Sequence, residues 1–124
     1  RLTSDLLPAL KALAEGTLDT APITFSDQAS ISVVMAAQGY PAKPITGAVI
    51  NGIADANAMP DVTVFQAGTK QNAQGQIVVS GGRVLAVCAL GNTVKDAQDK
   101  AYAGVKAITW DGAQYRKDIG ARAL

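Results

Sequence analysis

The sequence predicts an α+β fold: a small, mainly antiparallel β domain with a packed C-terminal helix, preceded by a separate N-terminal helix. Short apolar and β-branched runs, separated by glycine-containing turns, fill the middle of the chain between residues 30 and 90. From Val94 to Ile108, apolar residues recur every three or four positions, which is the spacing of an amphipathic helix lying on a sheet. The 124 residues are 48% apolar, which is enough for one domain with a core.

The N-terminal segment predicts a helix and then a linker. Ser4, followed by Asp5-Leu6-Leu7, indicates the helix start, and Gly16 indicates its end. A polar connector, Thr17–Asp27, follows. We therefore expect a domain boundary near Ser26, with residues 1–25 as the end of a preceding domain and residues 26–124 as a second one. Because the chain begins with Arg1 rather than Met, we also expect it to be a fragment or a processed piece.

Several strands are predicted next. Ser30–Ala37 is a β-branched, apolar run that Gly39-Tyr40-Pro41 interrupts. Ala48–Ile50 predicts a short strand, and Asp55–Met59 predicts one helical turn.

Val62–Thr69 and Gln76–Ser80 flank a polar loop, a pattern typical of a hairpin. After the turn at Gly81-Gly82, the apolar run Arg83–Leu90 is expected to pair back, which would complete an antiparallel meander. Gly68 lies inside the strand pattern and predicts a bulge or a close backbone approach.

The last helix has the clearest start. Thr93-Val94-Lys95-Asp96 resembles a capping box with Asp in place of Glu or Gln. The remainder, Trp110–Leu124, is predicted to be a polar, basic tail.

Composition excludes several classes of function. The chain has no histidine and a single glutamate, Glu15, which removes Ser-His triads and most transition-metal sites. A net charge of +1 argues against a nucleic-acid partner, and no apolar stretch approaches the ~20 residues that span a bilayer. The single cysteine, Cys88, is expected to be a buried, inert thiol, and a reduced cysteine without a signal sequence predicts a cytoplasmic protein.

Arg83 is the strongest candidate for a binding residue. It is the only charged residue between Gln71 and Val94, and it begins an apolar strand. A guanidinium at the lip of a buried strand is costly to desolvate unless it is paired. Two explanations remain open at this point: a structural salt bridge, for instance to Asp27 or Asp118, or recognition of a phosphate or carboxylate.

Three further segments have a functional and a structural interpretation. Gly39-Tyr40-Pro41 is either a loop facing a ligand or a plain turn with a packed tyrosine. Lys70 is either a ligand group at a hairpin mouth or a solvated lysine. Tyr115–Gly120 is either a basic contact surface or an ion-paired extension.

A set of motifs in a fixed order resembles the C-terminal region of the phosphoribosylamine–glycine ligase family, also called glycinamide ribonucleotide synthetase. The N-terminal Arg1-Leu2 and Ser4-Asp5-Leu6 resemble the helix that closes the preceding ATP-grasp domain in that family. The other motifs that carry the resemblance are Gly39-Tyr40-Pro41, Gly47, Ile50-Asn51-Gly52, Phe65-Gln66-Ala67-Gly68-Thr69, Gly81-Gly82-Arg83-Val84-Leu85, Ala89-Leu90-Gly91-Asn92-Thr93, Ala101-Tyr102, Asp111-Gly112 and Gln114–Gly120.

The resemblance implies a part of an enzyme of purine biosynthesis. Members join glycine to phosphoribosylamine with ATP, through glycyl phosphate. The resemblance places ATP and Mg (or Mn) in an upstream ATP-grasp domain of the same polypeptide, with metal ligands upstream of Arg1. It implies a barrel-sandwich-hybrid-like C-terminal domain that covers the active site from one side, binds no cofactor itself and is inert alone.

By analogy with related purine-pathway enzymes, the resemblance implies a ribose-phosphate anchor at Arg83, with Gly68, Thr69 and Lys70 beside it. Gln66 and the loop Gly39-Tyr40-Pro41 are further expected substrate-binding residues, and no residue is expected to be catalytic. Gln66 stands where the family usually has His, and Ala121 stands where a Trp is common.

Two other functions compete with a substrate-covering ligase domain. One is a stand-alone binding module such as a biotinyl carrier, but Met35 has no modifiable lysine beside it. The other is an oligomerisation domain. An ATP-grasp region encoded upstream of Arg1 would support the ligase, whereas a start codon there would favour the alternatives.

Overall fold

The computed structural model describes residues 1–124, and its first element is the helix α1 (Leu6–Glu15). Asp5, rather than Ser4, caps this helix, because its carboxylate accepts the Leu7 N–H at 3.0 Å. Gly16 ends it in the left-handed region at φ 72°. Both ends thus lie within a residue of the predicted positions.

Residues 1–26 fold back on themselves. A 3₁₀ turn (Leu18–Thr20) follows α1, and the chain returns so that Leu2 bridges Phe25 and the Arg1 guanidinium donates to the Ser26 carbonyl. No hydrogen bond joins residues 1–25 to residues 27–124. Hydrogen bonding between the N-terminal segment and the rest of the chain is therefore limited to Ser26.

The remainder contains two further helices and six strands arranged in two antiparallel sheets. The helices are α2 (Ile53–Asn57) and α3 (Val94–Ala107). The strands are β1 (Ala29–Ala36), β2 (Val62–Gln66), β3 (Thr69–Gln71), β4 (Ile77–Val79), β5 (Arg83–Gly91) and β6 (Gln114–Tyr115). The order in the larger sheet is β2-β5-β1-β6, and β3 pairs with β4 in a separate hairpin. The predicted α+β class is confirmed, with both sheets open.

The predicted meander is wrong. β5 pairs with β2 and β1 and not with β4, so the β3–β4 hairpin is an excursion between two paired strands. The cause lies at Gly68, whose N–H donates to the Arg83 and Val84 carbonyls while its own carbonyl accepts from Ser80 and Gly81. This corner ends β2 at Gln66 and splits the predicted strand Val62–Thr69 in two.

Two other predictions need correction. The expected strand Ala48–Ile50 forms only a single bridge, Val49 to Val78, because Gly47 and Gly52 on either side adopt positive φ. In the predicted polar tail, Gln114–Tyr115 forms β6 on the free edge of β1. A two-residue strand has no periodicity that a sequence pattern could reveal.

Helix α3 covers one face of the larger sheet, as predicted. The Thr93 hydroxyl accepts the Asp96 N–H at 3.1 Å, and the Asp96 carboxylate accepts the Asn92 N–H at 3.0 Å. Ala97, Ala101 and Val105 are buried against the sheet. The core therefore lies between α3 and strands β1, β2 and β5.

The other face of the sheet is not covered by any element of this chain. Phe65 is 57% exposed and Val34 is 44% exposed on that face. Cys88 lies there too, half-buried, with its thiol donating to the Ser32 hydroxyl at 3.1 Å. The expectation of a buried thiol was wrong because the apolar run of β5 is covered on one face only.

Candidate functional site

Arg83 begins β5 and projects its guanidinium toward solvent. Its side chain is exposed and takes part in none of the five ion pairs of the chain. The salt bridges considered from the sequence do not form, since Asp118 pairs with Arg116 and Asp27 with no cation. The assumed desolvation also does not occur, because this part of β5 faces the open side of the sheet.

Two clefts adjoin Arg83, one on each side. The first, here called the loop cleft, has a volume of about 590 Å³ and is lined by Val34, Tyr40, Pro41, Pro44, Ala67, Gly68, Gly82, Arg83, Leu85 and Ala86. The second, here called the tail cleft, has a volume of about 460 Å³ and is lined by Ser32, Val34, Ala36, Tyr40, Arg83, Gln114, Tyr115, Arg116 and Ile119. Val34, Tyr40 and Arg83 border both clefts, so they form the ridge between them.

Backbone contacts hold this ridge in place. Gly68 lies so close to β5 that a side chain there would place its Cβ 2.5 Å from the Arg83 carbonyl oxygen. On the other side, the Ala37 N–H donates to the Gly82 carbonyl at 2.8 Å and ties the end of β1 to the start of β5. The backbone at Arg83 is therefore held by contacts with Gly68 on one side and with the end of β1 on the other.

Charge is unevenly distributed between the two clefts. Arg116 at the tail cleft donates to both carboxylate oxygens of Asp118, at 2.8 and 2.5 Å. Through this pair, Asp118 raises the pKa of Arg116 and Arg116 lowers the pKa of Asp118. Arg83 is the only charged residue lining the loop cleft, and no carboxylate neutralises it. The loop cleft therefore favours an anion, and a guanidinium binds phosphate or carboxylate with two parallel hydrogen bonds.

Neither a metal site nor a membrane-spanning element is found. No three or more His, Cys, Asp or Glu side chains are grouped so that they could hold a metal ion. None of the helices has the length and apolar character needed to cross a bilayer.

Comparison with known proteins identifies the family. The family profile described as "Phosphoribosylglycinamide synthetase, C domain" matches residues 30–122. The chain belongs to this family. The β-sheet unit that carries Arg83 is therefore such a C domain.

Relatives of this C domain carry the name phosphoribosylamine–glycine ligase. The chain is 50% identical to the ligase of Caulobacter vibrioides and 44% identical to that of Neisseria meningitidis, and each match covers the whole chain and 29% of the relative. A crystal structure of the Thermotoga maritima ligase superimposes with a TM-score of 0.70 at 29% identity, covering 90% of this chain and 27% of that one. The chain thus spans less than a third of the length of these relatives.

The C domain brings together four of the eight expected substrate-binding residues. Arg83, Gly68, Tyr40 and Pro41 line the loop cleft. The Tyr40 ring packs against Gly82 and is still 40% exposed. A turn with a packed tyrosine and a loop facing a ligand are therefore compatible interpretations of Gly39-Tyr40-Pro41.

The other four expected residues line neither cleft. The Thr69 hydroxyl donates to the Gln66 side-chain oxygen at 3.0 Å, and Lys70 is exposed on the β3–β4 hairpin. Gly39 adopts φ +83° in a turn closed by the Lys43 N–H donating to the Gly39 carbonyl. These four residues therefore lie outside both clefts.

Sequence reasoning missed residues on both sides of the ridge in this C domain. The missed residues are Gly82 and Pro44, which border the loop cleft, and Gln114, which borders the tail cleft. Tyr115 and Arg116 also border the tail cleft, and they belong to the segment Tyr115–Gly120 that was considered from the sequence as a contact surface. Gly82 was available as a signal, because it precedes Arg83 in a Gly-Gly pair. The contribution of Gln114 depends on β6 pairing with β1, which no local pattern indicates.

Proposed function

We propose that the chain is the C-terminal domain of a phosphoribosylamine–glycine ligase and that it anchors the phosphate of phosphoribosylamine. The family and the relatives that match over the whole chain support the first part. In the proposed assignment, ATP and Mg²⁺ bind in an upstream ATP-grasp domain of the same polypeptide. The reaction serves purine biosynthesis in the cytoplasm.

The proposed reaction has two steps. The carboxylate of glycine attacks the terminal phosphorus of ATP, which gives glycyl phosphate and ADP. The amine of phosphoribosylamine then attacks the carbonyl carbon of glycyl phosphate, the amide bond forms, and inorganic phosphate leaves with the electron pair of the broken C–O bond. No residue of this chain is assigned as a metal ligand, since no three or more of its His, Cys, Asp or Glu side chains are grouped to hold a metal ion.

The role assigned to this chain is substrate binding. The observation that carries it is the unpaired guanidinium of Arg83, the sole charged group lining the loop cleft. Gly68 and Gly82 line the same cleft as Arg83. Two oxygens of the tetrahedral phosphate of a ribose phosphate can accept the two parallel hydrogen bonds that a planar guanidinium donates.

Steady-state kinetics of the full-length ligase carrying Arg83→Ala tests this role. We expect the KM for phosphoribosylamine to rise roughly 10- to 100-fold, because a hydrogen bond between charged groups contributes about 1.5–3 kcal/mol. The KM for ATP should change little. Arg83→Lys keeps the charge without the planar fork, so its KM for phosphoribosylamine should lie between those of the unmodified enzyme and Arg83→Ala.

A matched control is Arg122→Ala, which removes the same charge from a residue that borders neither cleft. Its KM for phosphoribosylamine should equal that of the unmodified enzyme. An unchanged KM in Arg83→Ala, or an equal rise in Arg122→Ala, would contradict the proposed role.

A further inference from the structure

Gly82 lies under the ring of Tyr40. A Cβ at position 82 would collide with Tyr40 Cδ2 and would lie 3.0 Å from Tyr40 Cε2 and 3.1 Å from Pro44 Cγ. Gly82 does not have a positive φ, so its backbone conformation is open to any residue. What excludes a side chain there is the tyrosine ring and not the conformation of the turn.

Hydrogen bonds also connect the loop that carries Tyr40 to Gly82. The Ala37 N–H donates to the Gly82 carbonyl at 2.8 Å, and the Tyr40 N–H donates to the Ala37 carbonyl at 3.2 Å. The Ile45 N–H closes the loop by donating to the Gln38 carbonyl at 2.8 Å. The ring of Tyr40 is thereby held against the residue that directly precedes Arg83.

Tyr40 and Arg83 are complementary in chemistry. Tyr40 is 40% exposed, and its hydroxyl makes no hydrogen bond within the chain. Its ring offers an apolar wall and its hydroxyl a polar tip, which suit the carbons and hydroxyls of a sugar. Arg83 beside it offers a cation for the attached phosphate.

We propose that Gly82 is a positioning residue: by leaving room for the Tyr40 ring against the backbone next to Arg83, it places the ring beside the guanidinium in the cleft that both residues line, where one sugar phosphate can contact both. This inference rests on the proposed function. It assigns the sugar to Tyr40 and the phosphate to Arg83, with Gly82 acting only through Tyr40.

The test is a double-mutant cycle in the full-length ligase with Gly82→Ala, Tyr40→Ala and the combination of both. Gly82→Ala should displace the ring and raise the KM for phosphoribosylamine roughly tenfold, within the ~100-fold that a 1 Å displacement can cost. The kcat and the KM for ATP should stay within about twofold, since a positioning residue for one substrate leaves the other's binding intact. Tyr40→Ala should raise the same KM by a comparable factor.

The decisive comparison is the double variant. On the Tyr40→Ala background the added methyl has no ring to displace, so Gly82→Ala should change the KM no further. The same factor on both backgrounds, or no rise in Gly82→Ala alone, would overturn the inference. If Gly82→Ala fails to fold, an unchanged KM in Tyr40→Ala would overturn it.

Arg83→Ala in the same assay separates this inference from the proposed function. A raised KM in Arg83→Ala with an unchanged KM in Gly82→Ala overturns the positioning role alone. An unchanged KM in Arg83→Ala overturns the phosphate anchor itself.

Discussion

At the scale of single residues, the close approach of α3 to the sheet depends on Gly104. A Cβ at this position would lie 2.9 Å from Val62 Cγ1 and 2.9 Å from Val87 Cγ1. Both valines are buried core residues with stiff side chains, so neither can move away cheaply. Gly104→Ala therefore has two opposing effects on stability, a gain in helix propensity and a cost from overpacking the core.

We expect Gly104→Ala to destabilise the protein. Alanine gains about 1 kcal/mol of helix propensity over glycine, whereas overpacking a well-packed core costs typically about 1–3 kcal/mol. The net loss, up to about 2 kcal/mol, is measured by urea denaturation.

The exposed neighbour provides the control, since Ala103→Gly should cost about 1 kcal/mol from propensity alone. If Gly104→Ala stabilised the protein by that amount instead, α3 could not lie this close to β2 and β5.

Arg83 illustrates what sequence reasoning can and cannot provide for a site. Its isolation among uncharged residues singled it out correctly as a position of interest. Its environment was not predictable, because exposure depends on which face of the sheet α3 covers. The contacts of the Tyr40 ring with Gly82 join residues about forty positions apart, so no local pattern contains them.

At the scale of secondary-structure elements, Asp96 stabilises the start of α3. Its carboxylate accepts the Asn92 N–H and contacts the Lys100 ammonium at 3.1 Å, and these two interactions lower its pKa. Lys100 also binds Asp61 at 2.9 Å, so α3 is tied to the loop before β2.

This arrangement predicts a loss of stability in acid. Because the folded-state pKa of Asp96 is lowered, its contribution is fully present above the unfolded value of about 3.9 and is lost as the pH falls through the folded pKa. The difference in unfolding free energy between the unmodified protein and Asp96→Ala should therefore be constant near neutral pH and shrink below about pH 3.9.

Chemical denaturation across this range measures the difference, and Asp96→Asn, which keeps an acceptor for the Asn92 N–H, separates the hydrogen bond from the charge. A difference that persists unchanged at the lowest pH would show that the ionised carboxylate has no part in it.

Elements whose limits are set locally were predicted well. Gly16 and Thr93 act at helix ends through hydrogen bonds within a few positions, and both were recognisable, whereas the cap of α1 is Asp5, one residue after the expected Ser4. Sheet order was not, because β5 pairs with β1, whose residues lie 47 to 62 positions earlier in the chain. Gly68 was recognisable from the sequence as an irregularity in a strand. That the chain turns there and leaves β5 to pair with β2 and β1 was not recognisable.

At the scale of the whole molecule, residues 1–26 and the sheet unit are weakly connected. Ser26 and Gln28 provide hydrogen bonds at the junction, and none joins residues 1–25 to the sheet unit. The leucines of α1 at positions 6, 7, 10 and 13 are at least half exposed. We therefore expect residues 27–124 to be stable without residues 1–26.

Removing residues 1–26 tests this boundary. Thermal unfolding of residues 27–124 should remain cooperative, with a Tm within about 4 °C of that of the whole chain, because a 1 kcal/mol change shifts the Tm of such a domain by roughly 4–8 °C. A larger fall, or the loss of a cooperative transition, would make the N-terminal segment an integral part of the fold.

The central claim is that Arg83 binds the phosphate of the ribose-containing substrate. The most direct measurement is a crystal structure of the full-length ligase with its product, glycinamide ribonucleotide. We predict that two phosphate oxygens lie within about 3 Å of the Arg83 guanidinium nitrogens, in the loop cleft and beside the Tyr40 ring. A phosphate bound by other residues, with the Arg83 side chain in solvent, would contradict the account.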